Sequence, residues 1–245
     1  MKALFVTHSI ETVLPLIKKA EGQWKNKGIL WSVTQNHQMV SEYYDVVFLL
    51  GYRRIVEEET LRKVNGNVIV FHSSDLPKGR GWAPIYTAIS SGYKYHTITM
   101  CYAAGEVDTG NILAKAKCRI KPNYTAPILR NIGRQIISFL IGKYISYFER
   151  KTYPGAAQRG KATYVSKRPP EKAEINITKK FKDCIAHLRA SEQQHKAFFV
   201  LENEKYFIDI YPERKEIDTE FEIEEYFQGK KGKSYTVTGF LEPLL

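Results

Sequence analysis

Four short apolar runs punctuate the first third of the chain: ALFVT (3–7), ILWSVT (29–34), DVVFLL (45–50) and VIVFH (68–72). Each is the length of a strand and rich in Val, Phe, Leu and Ile. Polar or helix-period stretches separate them: ETVLPLIKKAEGQW with its interrupting Pro15, then HQMVSEYY, then VEEETLRKV. Strands buried on both faces and joined by helical connections make a parallel sheet with helices packed on it. The pattern therefore predicts an α/β, Rossmann-like core with a mostly parallel sheet. After a Gly/Pro-rich loop, WAPIYTAIS predicts a helix, and YHTITMCYA (95–103) and GNILAKAKCRI (110–120) two more strands.

The segment 125–150 carries the clearest helical period. Ile128, Leu129, Ile132, Ile136, Ile137, Leu140, Ile141, Tyr144, Ile145 and Phe148 recur at three- and four-residue spacings, while Arg130, Arg134 and Lys143 fall off the stripe. Pro127 suits a first turn, where a missing N–H loses no bond. The stripe reads as core packing. From Tyr153 to Pro170 the composition shifts to Gly, Ala, Pro and basic residues, as in a linker, with a short strand available at 162–166. Beyond it, FKDCIAHLRA predicts a helix, AFFVLENEKYFIDIY a hairpin turning at Glu202–Glu204, and SYTVTGFLE a strand. The expected organisation is a main domain at 1–155, a linker at 156–170 and a small α+β or β-rich domain at 171–245.

The net charge of +11 is concentrated. Residues 1–114 carry 12 Lys/Arg against 10 Asp/Glu, 115–170 carry 13 against 1, and 171–245 carry 12 against 15. The middle belt attracts anions, whether nucleic acid, a phosphorylated metabolite or a polyanionic cofactor, unless it is simply a solvated basic face. Three scattered cysteines give neither a disulfide framework nor paired metal ligands, so a reducing, cytoplasmic setting and no metal are expected. MKALFVTHSIE turns polar too early for a secretory signal, and 136–148, broken by Gly142 and Lys143, falls short of a membrane span.

The fourth run delivers His72 to the loop HSSDLPKGRGWAP. In an open α/β sheet, ligands bind outside the carboxyl ends of the strands, where His72, the stretch 7–9 and the stretch 50–52 all fall. No loop carries a dinucleotide-binding or GxxxxGK[ST] glycine pattern, which disfavours a nicotinamide enzyme or an NTPase. Taken alone, His72 is a strand-end histidine bonded to a turn, and Asp108 an ordinary turn residue before Gly110.

Together these segments resemble a known family. HSSDLPKGRGWAPIYTAI is similar to the active loop of N10-formyltetrahydrofolate-dependent formyltransferases in His72, Ser74, Leu76, Pro77, Arg80, Gly81, Ala83 and Pro84. TITMCYAAGEVDTGNIL resembles the segment that carries the family's aspartate, placing it at Asp108; GYRRIV (51–56) resembles the loop that grips the pterin. Gln158, Thr163, Tyr164 and AEINI resemble the passage into a C-terminal domain. The resemblance implies His72 and Asp108 as catalytic residues, and Tyr52, Arg54, Ile55, Val56, Gly105 and Glu106 around the folate cosubstrate. His72 would serve a tetrahedral oxyanion and Asp108 would orient the ring and accept a proton. One position departs: the family's asparagine two residues before the histidine is Val70 here, leaving Ser73, Ser74 or a backbone N–H to replace it.

Among the family's acceptors, a nucleotide-linked (UDP- or dTDP-) 4-amino-4,6-dideoxy sugar fits best, because the 171–245 segment is weakly acidic and short for a tRNA-binding domain. Ser9, Ser74, Lys78, Arg80 and Trp82, with His8 less securely, are then the expected substrate contacts. The alternatives are a methionyl-tRNA formyltransferase-like, RNA-binding enzyme and a folate-binding pseudoenzyme. Nucleic acid and membrane are not favoured as partners; a homodimer is implied by the family alone.

Overall fold

The computed structural model describes residues 1–147, 153–167, 170–192, 195–213 and 217–241. In chain order the elements are β1 (Lys2–Thr7), α1 (Ile10–Glu21), β2 (Leu30–Thr34), β3 (Val46–Leu50), α2 (Glu58–Arg62), β4 (Val68–His72) and β5 (Arg80–Gly81). Then follow α3 (Pro84–Ser90), β6 (Tyr95–Tyr102), β7 (Ile112–Arg119), α4 (Ala126–Tyr147), β8 (Tyr164–Val165) and α5 (Phe181–Ala190). The chain ends with β9 (Ala197–Leu201), β10 (Glu204–Ile208), β11 (Ile217–Glu225) and β12 (Ser234–Leu241).

Eight strands form one sheet in the order β12-β11-β7-β6-β4-β3-β1-β2. The four N-terminal strands pair in parallel, as their sequence pattern requires, and the other half is antiparallel. Strand alternation explains why the N-terminal runs are apolar throughout. Ala3 and Phe5 of β1 with Val46, Phe48 and Leu50 of β3 point into the layer covered by α1 and α4. Leu4, Val6, Val47 and Leu49 point the other way, against Val56, Leu61 and Val64 around α2. Phe5 and Phe48 are fully buried and stack at 5.2 Å, each burial contributing roughly 1.5–3 kcal/mol.

The 22-residue α4 buries the expected stripe and lies against α1, where the Ser138 hydroxyl donates to the Leu16 carbonyl. A Cβ at Gly142 would meet only the amide end of the Gln23 side chain, which can swing aside. Residues 148–150 of the expected helix and 168–169 of the expected linker lie outside the described residues.

Two expectations are corrected. HQMVSEYY forms only a 3-10 turn at His37–Met39, and VEEETLRKV yields a helix of five residues, after which Asn65 and Gly66 turn to positive φ. The second correction concerns 171–245, which does not stand apart as one domain. β11 and β12 extend the main sheet beyond β7, with Phe221 opposite Cys118 and Ile223 opposite Ala116, because Phe221 and Ile223 bury into the main core. The intervening Glu222 and Glu224 stand opposite Lys117 and Lys115 in register, while Glu224 itself pairs with Lys231 and Lys115 with Asp75. What remains is α5 with the β9–β10 hairpin around Ile175, Cys184, Leu188 and Ala197. This unit is fastened to α3 where Tyr86 Oη and His187 Nδ1 meet at 3.2 Å. Among the described residues no helix is long and apolar enough to cross a membrane.

Candidate active site

β4 ends at the carboxyl edge of the sheet and places His72 there, 9% exposed. Its Nδ1 lies 3.3 Å from Asp108 Oδ2, and its Nε2 lies 2.7 Å from the Gly79 carbonyl oxygen. A carbonyl only accepts, so Nε2 donates to it and Nδ1 faces the carboxylate. Asp108 is held in turn. Its backbone adopts φ 59°, a left-handed conformation that Asp tolerates better than most residues, and its Oδ2 accepts from the Gly81 N–H at 3.0 Å. The Gln158 amide donates to the carbonyls of Asp108 (2.8 Å) and Gly110 (2.9 Å). A Cβ at Gly110 would run into the Tyr102 carbonyl. The spacing Asp-x-Gly thus has a mechanical cause: only glycine lets the chain pass β6 closely enough to bring Asp108 to the ring. Cys101, behind the pair, is buried, and burial, with a smaller push from the Asp108 charge, raises its thiol far above the usual range and makes it no nucleophile.

The pair lines a cleft of about 450 Å³. Tyr52, Arg54, Ile55, Val56, Gly105 and Glu106 line the same cleft, as do Trp82 and Val70. All six residues expected around folate therefore converge with His72 and Asp108. Tyr52 is fixed by a 2.6 Å contact between its hydroxyl and His37 Nδ1 and by edge-on packing against His8 at 4.8 Å. At Val70 the wall carries a methyl surface with no donor.

A second cavity, about 580 Å³, opens on the other side of the end of β4. It shares Gly51, Arg53 and Phe71 with the cleft and is walled by His8, Ser9 and Ser73 on one side and Arg130, Arg134 and Glu192 on the other. Ser9, expected to touch substrate, lies here; its hydroxyl caps α1 by accepting from the Thr12 N–H.

The loop residues expected to bind substrate are dispersed. Ser74 and Lys78 line a third cavity of about 430 Å³, and Ser74 Oγ donates to the Lys78 carbonyl. Arg80 lines none of the three: its guanidinium donates to Gln158 Oε1 (2.6 Å) and Tyr164 Oη (3.0 Å). The reason is backbone geometry. Gly79 and Gly81 both have positive φ, 71° and 91°, so the chain reverses at each, and Arg80 and Gly81 pair with Tyr164 and Val165. Lys78 and Arg80 therefore do not converge on one cavity, contrary to expectation. Arg53, Arg130 and Arg134 line the 580 Å³ cavity; in the sequence Arg53 sits between two expected folate contacts, and the α4 pair stands out only as residues off an apolar stripe.

Residues 16–136 match the formyl transferase family. A methionyl-tRNA formyltransferase of Francisella philomiragia is 32% identical over 162 residues, which are 66% of this chain and 51% of that protein. The chain thus spans about half the length of the curated relatives it matches. Among solved structures, a methionyl-tRNA formyltransferase from Clostridium thermocellum superposes with a TM-score of 0.69 at 21% identity, over 99% of both chains. A sugar N-formyltransferase from a Shewanella species gives 0.69 at 18% identity, over 87% of this chain and 98% of that one. The likeness of fold therefore continues past the matched residues, and the His72–Asp108 pair lies inside the match.

Proposed function

We propose that the protein transfers a formyl group from N10-formyltetrahydrofolate to the amine of a small phosphorylated acceptor, in the first place a nucleotide-linked amino sugar. The observation that carries this reading is the 3.3 Å contact of His72 with Asp108 in the lining of a 450 Å³ cleft, next to an arginine-lined cavity that shares Gly51, Arg53 and Phe71 with it. In this scheme the acceptor amine attacks the formyl carbon, the carbonyl oxygen becomes an oxyanion, and the bond from carbon to N10 of the folate breaks. The amine's proton passes to Asp108, directly or through water, and is returned to N10, which leaves as a neutral amine while the oxyanion re-forms the carbonyl of the new formamide. His72 Nε2 exchanges the Gly79 carbonyl for the oxyanion; Asp108 keeps the ring oriented throughout. The cavity's size, about 580 Å³, falls in the range of small-molecule sites.

A second reading is transfer to an aminoacyl-tRNA, favoured by the names of the sequence relatives. The deciding experiment incubates the protein with 10-formyltetrahydrofolate and, separately, UDP- and dTDP-linked 4-amino sugars and methionyl-tRNA, reading product mass. A gain of one formyl group on a sugar supports the first reading; formylation of methionyl-tRNA alone replaces it with the second; no formylation of any acceptor, with no folate binding, sinks both.

A further inference from the structure

We infer that Arg134, joined by Arg130, binds a phosphate group of the acceptor in the 580 Å³ cavity. The inference rests on the formyl-transfer reading and names the group by which the acceptor is held. Arg130 and Arg134 are four residues apart on α4, so they project from one face into the same cavity. With Arg53 they put three guanidinium groups in its lining against one carboxylate, Glu192. That carboxylate is committed to Arg130 in an ion pair. Arg134 is half-buried and has no hydrogen-bond or ion-pair partner among the described residues. Burial, and then the Arg130 charge, disfavour its charged form and lower its pKa, with Glu192 partly opposing. A guanidinium does not escape by losing its proton, so it calls for an anion. A phosphate, with up to two charges and several acceptor oxygens, matches a fork-shaped donor better than a single carboxylate does. Lys115 and Arg80 do not compete, since Lys115 is paired with Asp75 and Arg80 with Gln158 and Tyr164, and Lys78, Lys94 and Lys117 line a different cavity. Ser73 lines the same cavity next to His72, so a phosphate at Arg134 leaves room for the acceptor's amine to lie toward the reacting pair.

The test is calorimetric titration with inorganic pyrophosphate and with UDP, and in parallel with 5-formyltetrahydrofolate as the probe of the folate cleft. Wild-type protein is expected to bind pyrophosphate and UDP. Arg134→Gln should weaken both at least tenfold and leave 5-formyltetrahydrofolate within twofold. Glu192→Gln should tighten pyrophosphate a few-fold by freeing Arg130, a gain that misfolding would not produce. The inference is overturned if wild-type protein binds neither anion, if Arg134→Gln leaves their affinity within twofold, or if Glu192→Gln weakens it. Should only a single-stranded RNA oligonucleotide lose affinity in Arg134→Gln, the small acceptor is replaced by RNA. Binding of pyrophosphate at Arg134 without any binding of 5-formyltetrahydrofolate would leave the anion site standing and remove the formyl-transfer reading.

Discussion

The two cavities that meet at Gly51, Arg53 and Phe71 are built by different means. The cleft beside His72 takes its walls from loops that follow strands β3, β4 and β6, and its polar groups are held by backbone: a Gly81 N–H on Asp108, a Gly79 carbonyl on His72. The second cavity takes most of its charge from a helix whose other residues make the core, and Arg134 there has no hydrogen-bond or ion-pair partner among the described residues. On the proposed function, the site preorganised by main-chain contacts would serve the cosubstrate, and the site of long side chains on a helix could change its acceptor by substitution without disturbing the reacting pair.

The contrast breaks first at Asp108. Asp108→Asn preserves a residue that tolerates φ 59° and an oxygen for the Gly81 N–H, so the melting temperature should hold. Formyl transfer to whichever acceptor is identified should fall about 10³-fold, the range of a lost general base and orienting group. A loss of less than tenfold would mean that the two cavities do not share a reacting centre.

The next effect is on stability and tests the helix wall. His96 on β6 is 1% exposed, with neither ring nitrogen hydrogen-bonded among the described residues. Burial, and then the Arg130 charge, bring its pKa down from 6.5 to about 4. A histidine held neutral in the fold adds stability that is full above its unfolded pKa of 6.5 and is lost as pH falls through about 4. The shift corresponds to about 3 kcal/mol. Denaturant unfolding from pH 7 to pH 4 should show this slope, and His96→Leu should flatten it; an unchanged slope would exclude His96 as its source.

How much of this was legible depended on whether a residue's role was local. The strands of the N-terminal half follow from apolar runs buried on both faces, whereas His72 and Asp108, ordinary residues when taken alone, are legible only through the resemblance of their motifs to a known family. IDTEFEIEE carries acids at every second position and does not announce a strand; Phe221 and Ile223 of β11 make sense only beside β7, where they enter the main core. A net-charge map overstates the belt because part of it is paired within the fold, as Lys115 is with Asp75. Arg130 and Arg134 were visible as residues off the stripe, yet nothing local distinguishes a solvated helix face from a cavity wall. Lys78 and Arg80 misled for the opposite reason: neighbours in sequence, they are sent apart by two glycines with positive φ.

The smallest expected effect concerns the donor that Val70 does not supply. Ser74 directs its hydroxyl to the Lys78 carbonyl and lines the third cavity, so Ser74→Ala should change kcat less than twofold. Ser73 lines the second cavity, immediately after His72, and its hydroxyl is the available replacement. Losing an oxyanion donor costs about 10²-fold or more in a fully formed site, and Ser73, coming from the acceptor side, should carry about a tenth of that, a tenfold fall in Ser73→Ala. Val70→Asn would supply a donor from the folate side. If both groups serve one oxygen, Ser73→Ala should be nearly silent in the Val70→Asn background, and the two changes will fail to add. Independent effects would put Ser73 on the acceptor rather than on the oxyanion, and a backbone N–H would remain as the donor.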